Sequence, residues 1–168
     1  MPASQHQRQI VECVSCAVIT VSDTRTHETD ESGRLIRDAL AGAGHRVHSY
    51  EILKDDPPAL GRRLESLRDD PEAQAILLTG GTGLAPRDTT CEVVIRRLDR
   101  RLDGFGELFR MLSYAEIGAA AMLSRAVAGV MGDTLVFAMP GSTGATRLAL
   151  DKLIVPELGH LVWLVTRK

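Results

Sequence analysis

Short apolar runs alternate along the chain with segments whose apolar residues recur every three or four positions. The runs are typical of buried strands, and the periodic segments are typical of helices that pack by one face. The predicted strands cover residues 13–21, 46–53, 75–78, 126–131 and 134–139. This alternation predicts an α/β fold, a three-layer α/β/α sandwich with a mostly parallel sheet. The last two strands flank Gly132-Asp133, a hairpin spacing, and should add one antiparallel strand at an edge.

Helix starts are predicted where a capping residue precedes a periodic segment. The predicted starts are Asp30 or Ser32, Asp56 before Pro57, Thr89 with Glu92, and Ser113 with Glu116. Asp103-Gly104-Phe105-Gly106 is predicted to be a glycine-rich link before a short helix at 107–112, and the Ser113 helix should run to about Leu123. Two helices, one ending near Ile154 and one spanning 156–165, should close the chain.

Length and composition indicate one globular domain over residues 10–168, preceded by a disordered arm at residues 1–9. The net charge of −2 and the 4% aromatic content argue against a nucleic-acid partner. There is no apolar run of the roughly 18 residues that a membrane span needs, and no signal-peptide core follows the polar N-terminus. We therefore expect a cytoplasmic protein without a membrane partner.

The chain has three cysteines, an odd number that suits a reducing compartment. Cys13 and Cys16 form a C-x-x-C pair that enters the first predicted strand. Because residues three apart on a strand point to opposite faces, the pair is poorly placed for a disulfide or a shared metal. A redox or metal role is therefore the weaker interpretation.

The segment Thr79-Gly80-Gly81-Thr82-Gly83, ending at Asp88, connects an apolar strand to a helix start. Glycines allow backbone N–H groups to approach a phosphate, and a helix N-terminus favours negative charge. Arg87 can bind phosphate oxygens, and Asp88 can hold a cation. No lysine follows the glycines as a P-loop requires, and the spacing of a dinucleotide fingerprint is absent. A tight turn without a ligand is the alternative interpretation.

Four polar or glycine-rich segments leave the carboxyl ends of the predicted strands, where open α/β sheets bind ligands. They are residues 22–30, 54–56, 80–88 and 140–143. Asp55 and Asp88 should lie on adjacent loops, and two carboxylates facing a phosphate suit Mg²⁺. The pattern predicts phosphoryl or nucleotidyl transfer, or binding of a phosphorylated metabolite. Asp55 as a solvated turn residue and Ser142 as a plain helix cap remain open alternatives.

Several segments together resemble the molybdenum cofactor biosynthesis family. That family includes molybdopterin adenylyltransferase, the gephyrin-type domains and molybdenum cofactor biosynthesis protein B. The similarity extends over nearly the whole chain from about Ile10. The matching segments are 21–23, 30–33, 79–83 with Asp88, 104–107, 124–130 and 140–142.

The resemblance implies a pterin-binding α/β fold that assembles as trimers or as hexamers built from them. It implies that molybdopterin is adenylylated with ATP and Mg²⁺ and passed to other proteins of the pathway. Asp55 and Asp88 match the two functional aspartates, which would hold Mg²⁺ and orient the phosphates. Phosphate, pterin and nucleotide binding is implied for Ser22, Asp23, Thr79, Gly80, Gly81, Thr82, Gly83, Arg87, Glu107, Ser113, Pro140, Gly141 and Ser142.

Two branches of the family differ in what they imply for activity. Residues 104–142 look most like protein B, whereas Asp55 and the Arg87-Asp88 pair look like the adenylyltransferase. The hypothesis is a protein B homologue that retains the residues for adenylylation. A non-catalytic molybdopterin carrier and a generic sugar-phosphate or nucleotide binding module are the alternatives.

Overall fold

The computed structural model describes residues 9–167, so the predicted N-terminal arm, apart from Gln9, lies outside the described residues. Six strands form one sheet: β1 (Ser15–Val21), β2 (Arg46–Leu53), β3 (Ala75–Thr79), β4 (Arg100–Arg101), β5 (Val127–Met131) and β6 (Thr134–Met139). The helices are α1 (Glu31–Gly42), α2 (Pro57–Arg68), α3 (Thr90–Ile95), α4 (Asp103–Ile117), α5 (Thr143–Ala149) and α6 (Val155–Thr166). None of the helices within residues 9–167 is long and apolar enough to cross a membrane.

The sheet has the order β2-β1-β3-β6-β5-β4. Strands β2, β1, β3 and β6 run parallel, and β5 pairs antiparallel with β6 through the predicted hairpin. The mostly parallel sheet is therefore confirmed. The edge position of the antiparallel strand is wrong, because the two-residue strand β4 pairs with β5 on its outer side. A strand of two residues is too short to have a hydrophobic period, so β4 could not be recognised from the sequence.

Two apolar layers cover the faces of the sheet, as a three-layer sandwich requires. On one face, Leu77 of β3 and Phe137 of β6 pack with residues of α1, α4, α5 and α6. On the other face, Ile76 and Leu78 pack with residues of α2 and α3. Neighbouring residues of β3 are thus buried on opposite faces, which explains why the strand is apolar throughout.

Helix α4 occupies the region where the sequence predicts a glycine link, a short helix and a new helix start at Ser113, and these predictions are wrong. It is one helix of 15 residues, and Ser113 is buried inside it. Phe105 and Phe109 lie one turn apart in the core, with the Phe105 ring 5.3 Å from the Phe137 ring. Packing of this face outweighs the low helix propensity of the glycines. Gly106 is needed because a Cβ there would lie 2.7 Å from the Ala126 carbonyl oxygen.

Other helix boundaries combine confirmed caps with two corrections. Asp30, Asp56 and Ser142 accept hydrogen bonds at the starts of α1, α2 and α5. The predicted capping box at Thr89 is absent: Thr89 makes no side-chain cap, and Glu92 is paired with Arg125. The two predicted closing helices form one continuous run, since a π-helical turn at Leu150–Ile154 joins α5 to α6. A 3₁₀ segment, Gly118–Leu123, follows α4.

The cysteines differ sharply in exposure, which makes their reactivity predictable. Cys13 is exposed and Cys16 is buried, so the two point apart as expected. Burial raises the pKa of the Cys16 thiol to about 12 and that of Cys91 to about 11. Because the thiolate is the reactive form, a thiol reagent at neutral pH should label Cys13 alone in the native protein. All three should react after denaturation. Rapid native labelling of a Cys13→Ser variant would contradict this.

Candidate functional site

A cleft of about 350 Å³ opens at the carboxyl ends of β1, β3 and β6. Five of the predicted site residues line it: Ser22, Thr79, Gly80, Gly141 and Ser142. Thr20, Val21, Arg25, Asp30, Glu31, Ser32 and Thr143 complete its wall. The cleft is therefore built from loops that are far apart in sequence and meet because their strands are neighbours in the sheet.

The two glycine loops approach each other closely at the floor of this cleft. Gly80 has a φ of +94°, and a Cβ there would overlap the carbonyl oxygen of Val21. A Cβ at Gly141 would lie 3.2 Å from the Cα of Gly80. Gly80 therefore needs glycine for both backbone conformation and space, whereas Gly141 is restricted by its close packing against Gly80 alone.

The glycine loop presents unused backbone donors. Within residues 9–167, the N–H groups of Gly81, Thr82, Gly83 and Leu84 donate to no protein group. The loop is closed by other bonds, from Thr90 N to the Gly81 carbonyl at 3.0 Å and from Ala85 N to Oδ2 of Asp88 at 3.1 Å. Several free amides in one turn before a helix suit an anion.

Acidic side chains converge beside this loop. The pKa of Asp55 is raised by burial first, then by the nearby charges of Asp23 and Asp88, while Arg87 lowers it. The Asp55 backbone N–H donates to the Asp23 carboxylate at 3.0 Å. The structure thus brings Asp55 and Asp88 together at one end of the sheet. Asp55 is partly buried, so it is not a plain solvated turn residue.

Two buried oxygens at this point lack hydrogen-bond partners among the described residues: Oδ1 of Asp55 and Oγ1 of Thr90. Both lie near Gly81, where a Cβ would be 2.9 Å from Oδ1 of Asp55. Buried polar atoms are normally paired, so unpaired carboxylate oxygens beside further acids fit a cation. Residues 9–167 contain no group of three or more metal-ligating side chains. A cation held here by Asp55 and Asp88 would have to take its remaining ligands from a bound molecule or from water.

Sequence reasoning found Asp30 only as a helix cap, yet it organises one wall of the cleft. Asp30 is 2% exposed and accepts from Thr20 Oγ1 at 2.6 Å, Tyr50 OH at 2.5 Å and Gly33 N at 2.9 Å. Burial, with the hydrogen bond to Asp30, raises the pKa of Tyr50 to about 12. Ser32 then donates to the Gly141 carbonyl at 2.8 Å. The start of α1 thereby holds the second glycine loop in place.

Arg125 is a further residue that sequence reasoning did not single out. Its guanidinium donates to the carbonyl oxygens of Thr82 at 2.9 Å, Gly83 at 2.7 Å and Asp88 at 3.2 Å. It also pairs with Glu92 of α3. Its segment was part of the family resemblance, but nothing in the local sequence indicates contact with a loop some 40 residues earlier.

Four predicted site residues line cavities other than the main cleft. Glu107 lies in one of about 360 Å³ together with Arg101, Arg110 and Arg125, on the β5 side of the glycine loop. Ser113 and Pro140 line one of about 180 Å³ that shares Ser142 with the main cleft. Asp23 lines one of about 260 Å³ that shares Ser22. The structure does not bring Glu107 into the main cleft, because α4 carries it towards β5.

Fold and site define an α/β protein with a glycine-lined cleft at the carboxyl edge of its sheet. Residues 17–160 match the family described as the probable molybdopterin binding domain. The chain therefore belongs to this family of molybdenum cofactor biosynthesis proteins, as the sequence motifs predict.

Similar proteins agree with that assignment. Molybdenum cofactor biosynthesis protein B of Bacillus subtilis is 52% identical, with 96% of each chain covered. A crystal structure of molybdenum cofactor biosynthesis protein B is 50% identical, with a TM-score of 0.90 over 93% of this chain and 98% of that one. The tungsten cofactor synthesizing protein of Pyrococcus furiosus is 33% identical, with a TM-score of 0.82 over 94% and 99%.

Proposed function

We propose that this protein binds molybdopterin across the glycine loops and adenylylates it with MgATP. A terminal phosphate oxygen of molybdopterin forms a bond to the α-phosphorus of ATP. The bond from that phosphorus to the β-phosphate oxygen breaks, and pyrophosphate leaves. The products are adenylyl-molybdopterin and pyrophosphate, so charge and atoms balance without an oxidant or reductant.

The observation that carries the proposal is the unpaired, buried Oδ1 of Asp55 beside the glycine loop and near Asp88. A site that only bound phosphate would gain nothing from carboxylates, because they repel it. Carboxylates beside a phosphate-binding loop favour binding when Mg²⁺ is coordinated by both the carboxylates and the phosphates. Asp55 and Asp88 would hold Mg²⁺, which when bound supplies charge neutralisation for the transferring phosphate.

The chain's own groups have separate roles in this proposal. The N–H groups of Gly81 to Leu84 bind phosphate oxygens. The exposed Arg87 adds a guanidinium group that can donate two parallel hydrogen bonds to a phosphate. Gly141 and Ser142 line the cleft beside Gly80 and would orient the pterin end. Glu107 and Ser113 line neighbouring cavities and would contact only parts of a ligand that extend beyond the cleft. The chemistry therefore depends on positioning and charge, not on proton transfer.

The second candidate is a carrier that binds molybdopterin without transferring AMP. The protein B name of the similar proteins favours it, because that name specifies no transfer. The test is incubation with molybdopterin, ATP and Mg²⁺, followed by measurement of pyrophosphate. Release of pyrophosphate supports adenylylation. Bound pterin without pyrophosphate identifies the carrier, and failure to bind pterin removes both.

We also propose that the protein acts in the cytoplasm and passes its product to other proteins of the pathway. Three free cysteines suit a reducing compartment. The exposed residue Arg25 lines the cleft, so a bound product could leave to solvent on that side.

Self-association is proposed from an apolar surface on α4 and the 3₁₀ segment after it. We call this surface the α4 face; its exposed members are Leu108, Met111, Tyr114, Ile117, Met122 and Leu123. Met111 is 60% exposed and Met122 77%. Contiguous exposed apolar side chains mark interaction surfaces, and a second copy of this chain is the occupant we propose.

The α4 face gives a prediction about oligomeric state. The protein should sediment as a trimer or a hexamer, and Met111→Lys should shift it to monomers because the charge would be buried at the interface. Leu164→Lys is the control, since Leu164 is exposed on α6 outside this face. A wild-type monomer, or an unchanged mass for Met111→Lys, would contradict the assignment.

A further inference from the structure

Arg125 holds together both ends of the segment 82–88. Its contacts are the carbonyl oxygens of Thr82 and Gly83 at one end and of Asp88 at the other. These are charge-assisted bonds from one planar guanidinium, a geometry that lysine cannot reproduce. The carboxylate of Glu92 also accepts from this guanidinium and helps to fix its orientation.

These contacts decide which way the peptide groups of the loop face. There is no cis peptide bond within residues 9–167. In a planar trans peptide, the carbonyl of one residue and the N–H of the next point in opposite directions. Carbonyls of Thr82 and Gly83 that face Arg125 therefore turn the N–H groups of Gly83 and Leu84 away from it. Those two N–H groups are among the unused donors of the loop.

We infer that Arg125 is a positioning residue that presents the glycine-loop amides to the ligand phosphate. It acts through the loop backbone and supplies no donor to the ligand itself. The inference deepens the proposed function and rests on it for the consequence in turnover. The orientation of the loop can also be measured on the protein alone.

The position of Arg125 allows a chemical rescue experiment. Arg125 lines the cavity of about 360 Å³. In Arg125→Ala, the volume that the guanidinium vacates should therefore be continuous with this cavity and accessible from it. A guanidinium ion at millimolar, non-denaturing concentration should enter this volume and restore the lost bonds. Arg110→Ala is the matched control, because Arg110 lines the same cavity without bonding to the loop.

Hydrogen exchange of peptides covering residues 80–90 provides the first measurement. Arg125→Ala should raise exchange about tenfold or more at the amides of this segment that are hydrogen-bonded in the native protein, those of Gly80, Ala85, Asp88 and Thr90, because the loop loses the charge-assisted hydrogen bonds that hold it closed. Peptides from β1 and β3 should be unchanged, guanidinium should reverse the rise, and Arg110→Ala should behave as wild type. A rise throughout the protein, or none in the loop, would overturn the inference.

Pyrophosphate release provides the second measurement. Arg125→Ala should lower turnover roughly 10²-fold, as a displaced binding group does, and guanidinium should recover much of it. A faster-exchanging loop with wild-type turnover would overturn the inference. An inactive wild type would refute the adenylyltransferase proposal, while the exchange results would still decide whether Arg125 orients the loop.

Arg125→Lys keeps the experiment decisive if the alanine variant does not fold. Lysine retains the positive charge but cannot donate the several planar hydrogen bonds of a guanidinium. Hydrogen exchange in the loop should therefore rise, and turnover should fall, in this variant as well. Guanidinium should not rescue it, because the lysine side chain fills the site. Wild-type values for Arg125→Lys would show that charge alone suffices and would overturn the argument from peptide orientation.

Discussion

Replacing Asp55 or Asp88 with asparagine should lower the rate of pyrophosphate release by about 10²- to 10³-fold. Each variant loses a negative charge that would hold the cation beside the phosphates. Asparagine keeps an amide oxygen, so the bond from Ala85 N to the side chain at position 88 can persist. The measurement is a steady-state rate with saturating MgATP and molybdopterin.

Asp55→Asn should also change the free energy of unfolding, in a direction that follows from the pKa of Asp55. Burial and the charges of Asp23 and Asp88 raise the pKa of Asp55 in the folded state. The ionised carboxylate therefore reduces stability above its folded pKa, and this penalty disappears as the pH falls below the unfolded pKa. Asp55→Asn should be at least as stable as wild type at neutral pH, and the difference should shrink in acid.

Asp56→Asn is the matched control for Asp55→Asn. Asp56 caps α2 through the backbone N–H of Ala59 at 3.1 Å, a role that asparagine also fills. This neighbouring variant should therefore retain wild-type turnover and stability. Normal turnover of Asp55→Asn would remove Asp55 from the mechanism, and a lower melting temperature at neutral pH would indicate that its carboxylate is structural.

Gly80→Ala should have the largest effect on stability. The φ of +94° is unfavourable for alanine, and the new Cβ would overlap the Val21 carbonyl oxygen. We expect a loss of about 3 kcal/mol in the free energy of unfolding. That loss corresponds to a melting temperature lower by roughly 6–12 °C. Urea denaturation and thermal scans measure the two quantities.

Gly42→Ala is the control for this substitution. Gly42 lies in α1 with a negative φ, and a Cβ there would meet no atom within 4 Å. Alanine at such a position should raise stability by about 0.4–1 kcal/mol. Equal effects of the two substitutions would contradict the conformational requirement at Gly80. Any loss of ligand binding should be confined to Gly80→Ala, because that loop borders the cleft.

The sequence predicted the elements whose signals are local. The apolar runs of β1 and β3, the alternating pattern of β2, the caps at Asp30 and Asp56 and the hairpin turn at Gly132-Asp133 are all recognisable from neighbouring residues alone. Local signals failed at α4, where glycines suggested a link. There, burial of Phe105 and Phe109 against the sheet decided the outcome.

The candidate site divides in the same way. Its glycines and aspartates form short motifs, so the sequence by itself determined the family, the glycine loop that ends at Asp88 and the position of Asp55 on a neighbouring loop. Only the tertiary structure decided that Arg125 donates hydrogen bonds to that loop and that Asp30 and Ser32 support the second loop. It also decided that Glu107 lines a separate cavity. The physical reason is that those contacts join residues many positions apart, and such contacts exist only once the sheet has brought its strands together.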